Sequence, residues 1–199
     1  MAFRAATQVV RQQGLNVKLY YNDYNIENPG GKATAAENLV KQLKAKNIQI
    51  DGVGLESHFI AGKPILSAKA DGDCETDQNP GSTPSLDSQV QQKQAYAALD
   101  VDVAITELDV RLNLPPTAES EAQQVQDYYN SVKSCVEVDR CIGVVVWDFD
   151  DTYSWIPNTF KGQGYGDLFL QPGGANHKLV KKAAYDGVLE ALTGQPEAL

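Results

Sequence analysis

Two carboxylates, Glu107 and Asp109, close the run Val103-Ala104-Ile105-Thr106-Glu107-Leu108-Asp109-Val110, whose β-branched residues otherwise dictate a covered strand. Acids at the C-terminal end of such a strand are where a parallel barrel keeps its chemistry; the same residues can also simply cap the next loop. Strict alternation sends Val103, Ile105, Glu107 and Asp109 to one face, with Glu107 on the inner rim of a sheet. Glu56 and His58 end another apolar run, and their shared parity turns both inward while Leu55 and Ser57 face helices. Taken alone, a histidine there is more often a satisfied structural group than a reactive one.

These residues need elements to hold them. Apolar runs alternate with helical periodicities, and no two runs are joined by a two-residue hairpin turn, which is the βα signature. Strands are predicted at Val17 to Asn22, Gly52 to Ser57, Asp102 to Thr106 and Ile142 to Trp147. Helices are predicted from Thr34 to Lys46, from Leu86 to Leu99 with Ser85 as N-cap, from Ala118 to Val136 and from Lys178 to Leu192. The opening residues read as part of an amphipathic helix. A Gly-, Pro- and aromatic-rich loop spans Asp148 to Gly174.

Composition narrows the partners. A chain of 199 residues with 42% hydrophobic content can bury one sizeable core. Its net charge of −9 disfavours nucleic acid and anionic membrane surfaces, and a neutral ligand is the easier match. Its apolar runs are far shorter than the ~20 residues that span a bilayer, and the start lacks the apolar core of a secretory signal. Of three cysteines, Cys135 and Cys141 are close enough to bridge a helix end to the next strand, leaving Cys74 alone. Asp71, Asp73, Glu75 and Asp77 suggest calcium, but they lack the central glycine and distal glutamate of an EF-hand loop, so a solvated loop is expected.

Taken together, Leu19-Tyr-Tyr-Asn-Asp-Tyr-Asn-Ile-Glu27, Ile50-Asp-Gly-Val-Gly-Leu-Glu-Ser-His-Phe59, Ile105-Thr-Glu-Leu-Asp109 and Val146-Trp-Asp-Phe-Asp-Asp-Thr-Tyr-Ser-Trp155 resemble the family 10 glycoside hydrolases. These are endo-1,4-β-xylanases on a (β/α)8 barrel. The resemblance covers nearly all of the chain except Ile65 to Thr83. It implies an α/β fold, the C-terminal half of a TIM barrel with four βα units. A partial catalytic domain over residues 1–193 would carry an atypical insertion at 65–83, followed by a tail at 194–199.

The resemblance implies retaining hydrolysis by two glutamates. Glu107 matches the nucleophile, and His58 the group that hydrogen-bonds and orients it. Glu56 stands where many members have glutamine, adding a charge that could raise one pKa of the coupled pair. Trp147 and Trp155 match the floor and wall of the sugar subsite, where flat apolar rings suit pyranose faces. Tyr24 and Asn25 match positions on the aglycone side, although a turn role suits Asn-Asp-Tyr-Asn nearly as well. Cys135 and Cys141 match a disulfide of secreted relatives, which points to an extracellular protein. The substrate implied is xylan or a related β-1,4-linked polysaccharide, and paired-carboxylate chemistry calls for no metal or organic cofactor.

The family's acid/base glutamate follows an asparagine in a motif like Trp-Asp-Val-Val-Asn-Glu, and the chain contains no such segment. Asp109, Glu56 and Glu27 are the remaining rim candidates. The expected activity of the chain alone is therefore weak or nil, and the rival reading is a non-catalytic carbohydrate-binding half barrel. Half a barrel also leaves open sheet edges that invite self-association.

Overall fold

The computed structural model describes residues 1–62 and 82–195. Most of the 65–83 segment, with Cys74 and the acidic run 71–77, lies outside them, as does most of the tail. Helix α1 (Ala2–Gln13) ends at Gly14, whose left-handed φ of 61° suits a residue without a side chain. Then come β1 (Tyr20–Asp23), α2 (Gly31–Ala45), β2 (Gly52–Leu55), β3 (His58–Ile60), α3 (Leu86–Ala97), β4 (Asp102–Asn113), α4 (Ala118–Val136) and β5 (Cys141–Val146). The chain continues through a short α5 (Ile156–Thr159), β6 (Gln163–Gly164), β7 (Phe169–Leu170), β8 (Val180–Lys181) and α6 (Ala183–Thr193).

Strands β1, β2, β4 and β5 pair in parallel in that order, giving the four βα units of half a TIM barrel. The predicted N-cap holds, with Ser85 Oγ accepting the Ser88 N–H at 3.3 Å. Helix α4 keeps its predicted bounds, because Thr117 and Ser120 form a reciprocal capping box at its start. The last helix starts later than predicted, since Val180–Lys181 is spent on an antiparallel pair with Phe169–Leu170. Cys135 and Cys141 form a disulfide that ties α4 to β5.

The core lies between strands and helices. Val53, Leu55 and Val103 pack with Ala36 and Val40 of α2, while Ile105, Leu108 and Val110 pack with Tyr128 and Val132 of α4. The opposite, inner face carries Tyr20, Asn22 and Thr106. Glycines at 52 and 54 make room there, because a Cβ at Gly52 would strike the Tyr20 ring and one at Gly54 would strike Asn22 and Thr106.

Two expectations need correction. Strand β4 does not stop at Thr106 but runs to Asn113, pairing with β2 and β5 in its first half and with β3 and β6 in its second. Nor does strict alternation hold along it, since Val103 and Ile105 face the helices. The β4–β5 register shifts between Ile105 and Leu108, and this irregularity lets the neighbours Thr106 and Glu107 both reach Asn22.

Candidate active site

A cleft of about 610 Å³ opens at the C-terminal ends of the strands, lined by Tyr24, Asn25, Glu56, His58, Glu107, Arg111, Trp147, Trp155 and Phe160. The sequence-predicted Glu107, His58, Glu56, Trp147, Trp155, Tyr24 and Asn25 thus meet in one place. Each strand end of the parallel sheet contributes, which is how a barrel of this type assembles a site from distant segments.

At the centre stands a hydrogen-bonded chain of charged groups. His58 Nε2 lies 3.3 Å from Glu107 Oε2, and His58 Nδ1 lies 2.7 Å from Asp109 Oδ2. Burial opposes the imidazolium of His58, but the Asp109 hydrogen bond and charge, then those of Glu107, outweigh it and hold the pKa above its ordinary value. Asp109 also accepts the Trp155 indole N–H at 2.8 Å, so one buried carboxylate fixes both the imidazole and the aromatic wall. The Trp155 and His58 rings meet at 4.8 Å between centroids, and Trp147 stands edge-on to His58 at 6.4 Å.

Asn22 Nδ2 donates to Glu107 Oε1 at 3.0 Å and to Glu56 Oε1 at 3.3 Å. One amide therefore sets two carboxylates side by side on the same wall. Burial, then the charge of Glu107, lifts the Glu56 pKa above the ordinary range, against the pull of His58. Glu56, His58 and Glu107 bring one donor atom each within 4.8 Å of the others. Both nitrogens of His58 are engaged by carboxylates, Nδ1 by Asp109 and Nε2 by Glu107.

The inward turn of Glu56 and His58 arises otherwise than predicted. Strand β2 ends at Leu55, Ser57 takes a left-handed φ of 64°, and β3 restarts at His58. Asn25, with φ 53°, combines its turn role with a place in the cleft wall. Two supposed rim acids are not on the rim: Asp109 is 0% and Glu27 1% exposed.

The sequence reading also missed residues. Asn22 was legible, since it opens the Asn-Asp-Tyr-Asn run and shares the parity of Gly54. Arg111 and Phe160 gave less signal, because Arg111 lies beyond the predicted end of its strand and Phe160 in a loop without periodicity. The Arg111 guanidinium sits 4.1 Å from the Phe160 ring centre, donates to the Phe59 carbonyl and is held by Gln163. Lys32 lies over the Tyr24 ring at 3.5 Å and fixes that aromatic at the cleft mouth.

Comparison with known proteins supplies the context. The sequence matches the Glycosyl hydrolase family 10 profile over residues 1–191. It is 45% identical over 177 residues to endo-1,4-beta-xylanase D of Talaromyces funiculosus, covering 89% of this chain and 37% of that protein. Among solved structures, a GH10 xylanase from Bispora sp. MEY-1 with xylobiose superposes with a TM-score of 0.85 at 60% identity, covering 96% of this chain and 51% of the other. An endo-1,4-beta-xylanase of Penicillium canescens gives 0.82 at 50% identity, covering 98% and 52%. The chain spans about half the length of these solved relatives. On this match, and on a fold that is half of a TIM barrel, the chain belongs to glycosyl hydrolase family 10.

Proposed function

We propose that this chain supplies the nucleophile half of an endo-1,4-β-xylanase that cleaves internal β-1,4-xylosidic bonds of xylan with retention. The reading rests on one observation: Glu107 lines a cleft that also holds two tryptophans, and it is hydrogen-bonded by Asn22 and His58. Glu107 would attack the anomeric carbon, while His58, held by Asp109, keeps that carboxylate oriented and balances its charge. Trp147 and Trp155 offer flat faces to the sugar, and Glu56 with Asn22 accepts and donates to its hydroxyls. Tyr24 and Asn25 would contact the aglycone side.

A retaining enzyme also needs an acid across the scissile bond, about 5 to 5.5 Å from the nucleophile. With Asp109 and Glu27 buried, Glu56 is the acid left from the rim candidates, and it shares Asn22 with Glu107 on one wall. The chain alone is therefore weakly active or inactive on xylan. That same observation supports the second reading, a half barrel that binds the polysaccharide without cleaving it. We place the catalytic part at residues 1–193, with an insertion at 65–83 and a tail at 194–199. The Cys135–Cys141 disulfide supports an oxidising, extracellular setting.

The deciding experiment uses an activated 2-fluoro-xylobioside whose phenol leaves without protonation, so that the missing acid does not matter. Intact-mass and peptide analysis should find a glycosyl adduct on Glu107, absent from Glu107→Ala. Binding without an adduct would favour the non-catalytic reading, and neither binding nor adduct would overturn both.

A further inference from the structure

We propose that Glu27 is a positioning residue that locks the left-handed turn at Ser57 and thereby sets both the His58–Glu107 pair and the aglycone wall. Glu27 touches no part of the cleft, being 1% exposed. Its Oε1 accepts the backbone N–H of Ser57 at 2.9 Å. Ser57 is itself fully buried and holds φ 64°, a conformation that a non-glycine residue keeps only when its surroundings impose it. The neighbours on either side of Ser57 are Glu56 and His58, both in the cleft. The Ser57 carbonyl accepts the Asp109 N–H at 3.3 Å, and Asp109 in turn holds His58 and Trp155.

Glu27 sits two residues after Asn25, in the loop that presents Tyr24 and Asn25. One buried carboxylate therefore clamps the β1 loop to the kink between β2 and β3. Behind it lies Lys93 of α3, also fully buried, whose ammonium donates to Ser134 Oγ at 2.8 Å and Gln89 Oε1 at 3.4 Å. Burial raises the Glu27 pKa above the ordinary carboxylate range, while the Ser57 N–H and, less strongly, a charge on Lys93 pull it back toward the carboxylate, the better acceptor for the strained N–H. The clamp is thus fixed from the helix layer while its effect is felt on the opposite side of the sheet.

The test uses the full chain and two readouts: the His58 imidazole titration by NMR, and affinity for xylotriose. Glu27→Gln keeps an acceptor for Ser57 and should leave both nearly unchanged. Glu27→Met removes it, and the His58 pKa should fall while xylotriose affinity drops by about tenfold or more. Because both Glu27→Gln and Glu27→Met leave Lys93 buried without the Glu27 charge, Glu27→Met/Lys93→Met is compared as well, with thermal unfolding to show that it is folded. A folded double variant with unchanged His58 titration and affinity would overturn the proposal. The affinity arm rests on the xylan reading, whereas the His58 arm does not. If the wild-type chain binds no xylotriose, that reading fails and the titration alone decides the clamp.

Discussion

At the scale of single residues, the loop after β5 stores a cost that the cleft does not explain. Asp167 is 1% exposed, and among the described residues neither of its carboxylate oxygens has a hydrogen-bond partner. Burial, followed by the charges of Asp151, Asp148 and Asp109, pushes its pKa up to about 8, with Lys182 opposing. The folded state therefore binds a proton that the unfolded state has released. The resulting cost is absent below about pH 4, the ordinary carboxylate value, grows as pH rises, and levels off past the folded pKa. Asp167→Asn keeps the shape and removes the charge. It should stabilise the chain by about 1–3 kcal/mol at pH 8.5, with the gain shrinking toward pH 4. Urea unfolding at the two pH values checks this, and a gain independent of pH would show that the charge is not the cause.

At the scale of elements, the four βα units and their helices were legible because they rest on local signals: β-branched runs, periodicity and the Ser85 cap. The irregularity in β4 was not, since it is written in the pairing of Ile105 and Leu108 with β5 rather than in β4 itself. Alternation put Glu107 and Asp109 on the cleft side but placed Val103 and Ile105 there as well, and the register shift reverses the parity between them. The motifs brought the seven predicted site residues together, whereas the burial of Asp109 and Glu27 depends on the depth of loops that spacing does not encode.

Two devices at this scale are testable. Reducing the Cys135–Cys141 bridge, which closes a short loop between α4 and β5, should cost about 2 kcal/mol in urea unfolding. A Cβ placed on Gly54 by Gly54→Ala must displace Asn22 or Thr106. It should destabilise by about 1–3 kcal/mol and, by moving the amide shared between Glu56 and Glu107, weaken xylotriose binding. If calorimetry finds unchanged affinity, Asn22 does not organise the proposed sugar site.

At the scale of the whole molecule, the fold presents open edges. In a closed barrel every strand has two neighbours, but among the described residues β1 pairs only with β2, and β5 only with β4. Of the two edge strands β5 is the more uncovered: Ile142 is 59% and Val145 56% exposed, with Trp147 and Phe149 just beyond. Unpaired backbone groups beside exposed apolar side chains are a template for another chain. Because all four strands run in parallel, β1 of one copy can meet β5 of a second in the direction a closed barrel requires. We therefore expect reversible association in sedimentation velocity, rising with concentration. A lysine at the exposed edge, Val145→Lys, should shift the population toward monomer without altering the buried core, since charge at an edge opposes strand addition. A sharply monodisperse wild-type monomer with cooperative unfolding would mean that the open sheet is stable in water by itself. In that case the apolar groups on β5 would be uncovered surface of a self-sufficient half barrel, and the four βα units would count as a complete folding unit.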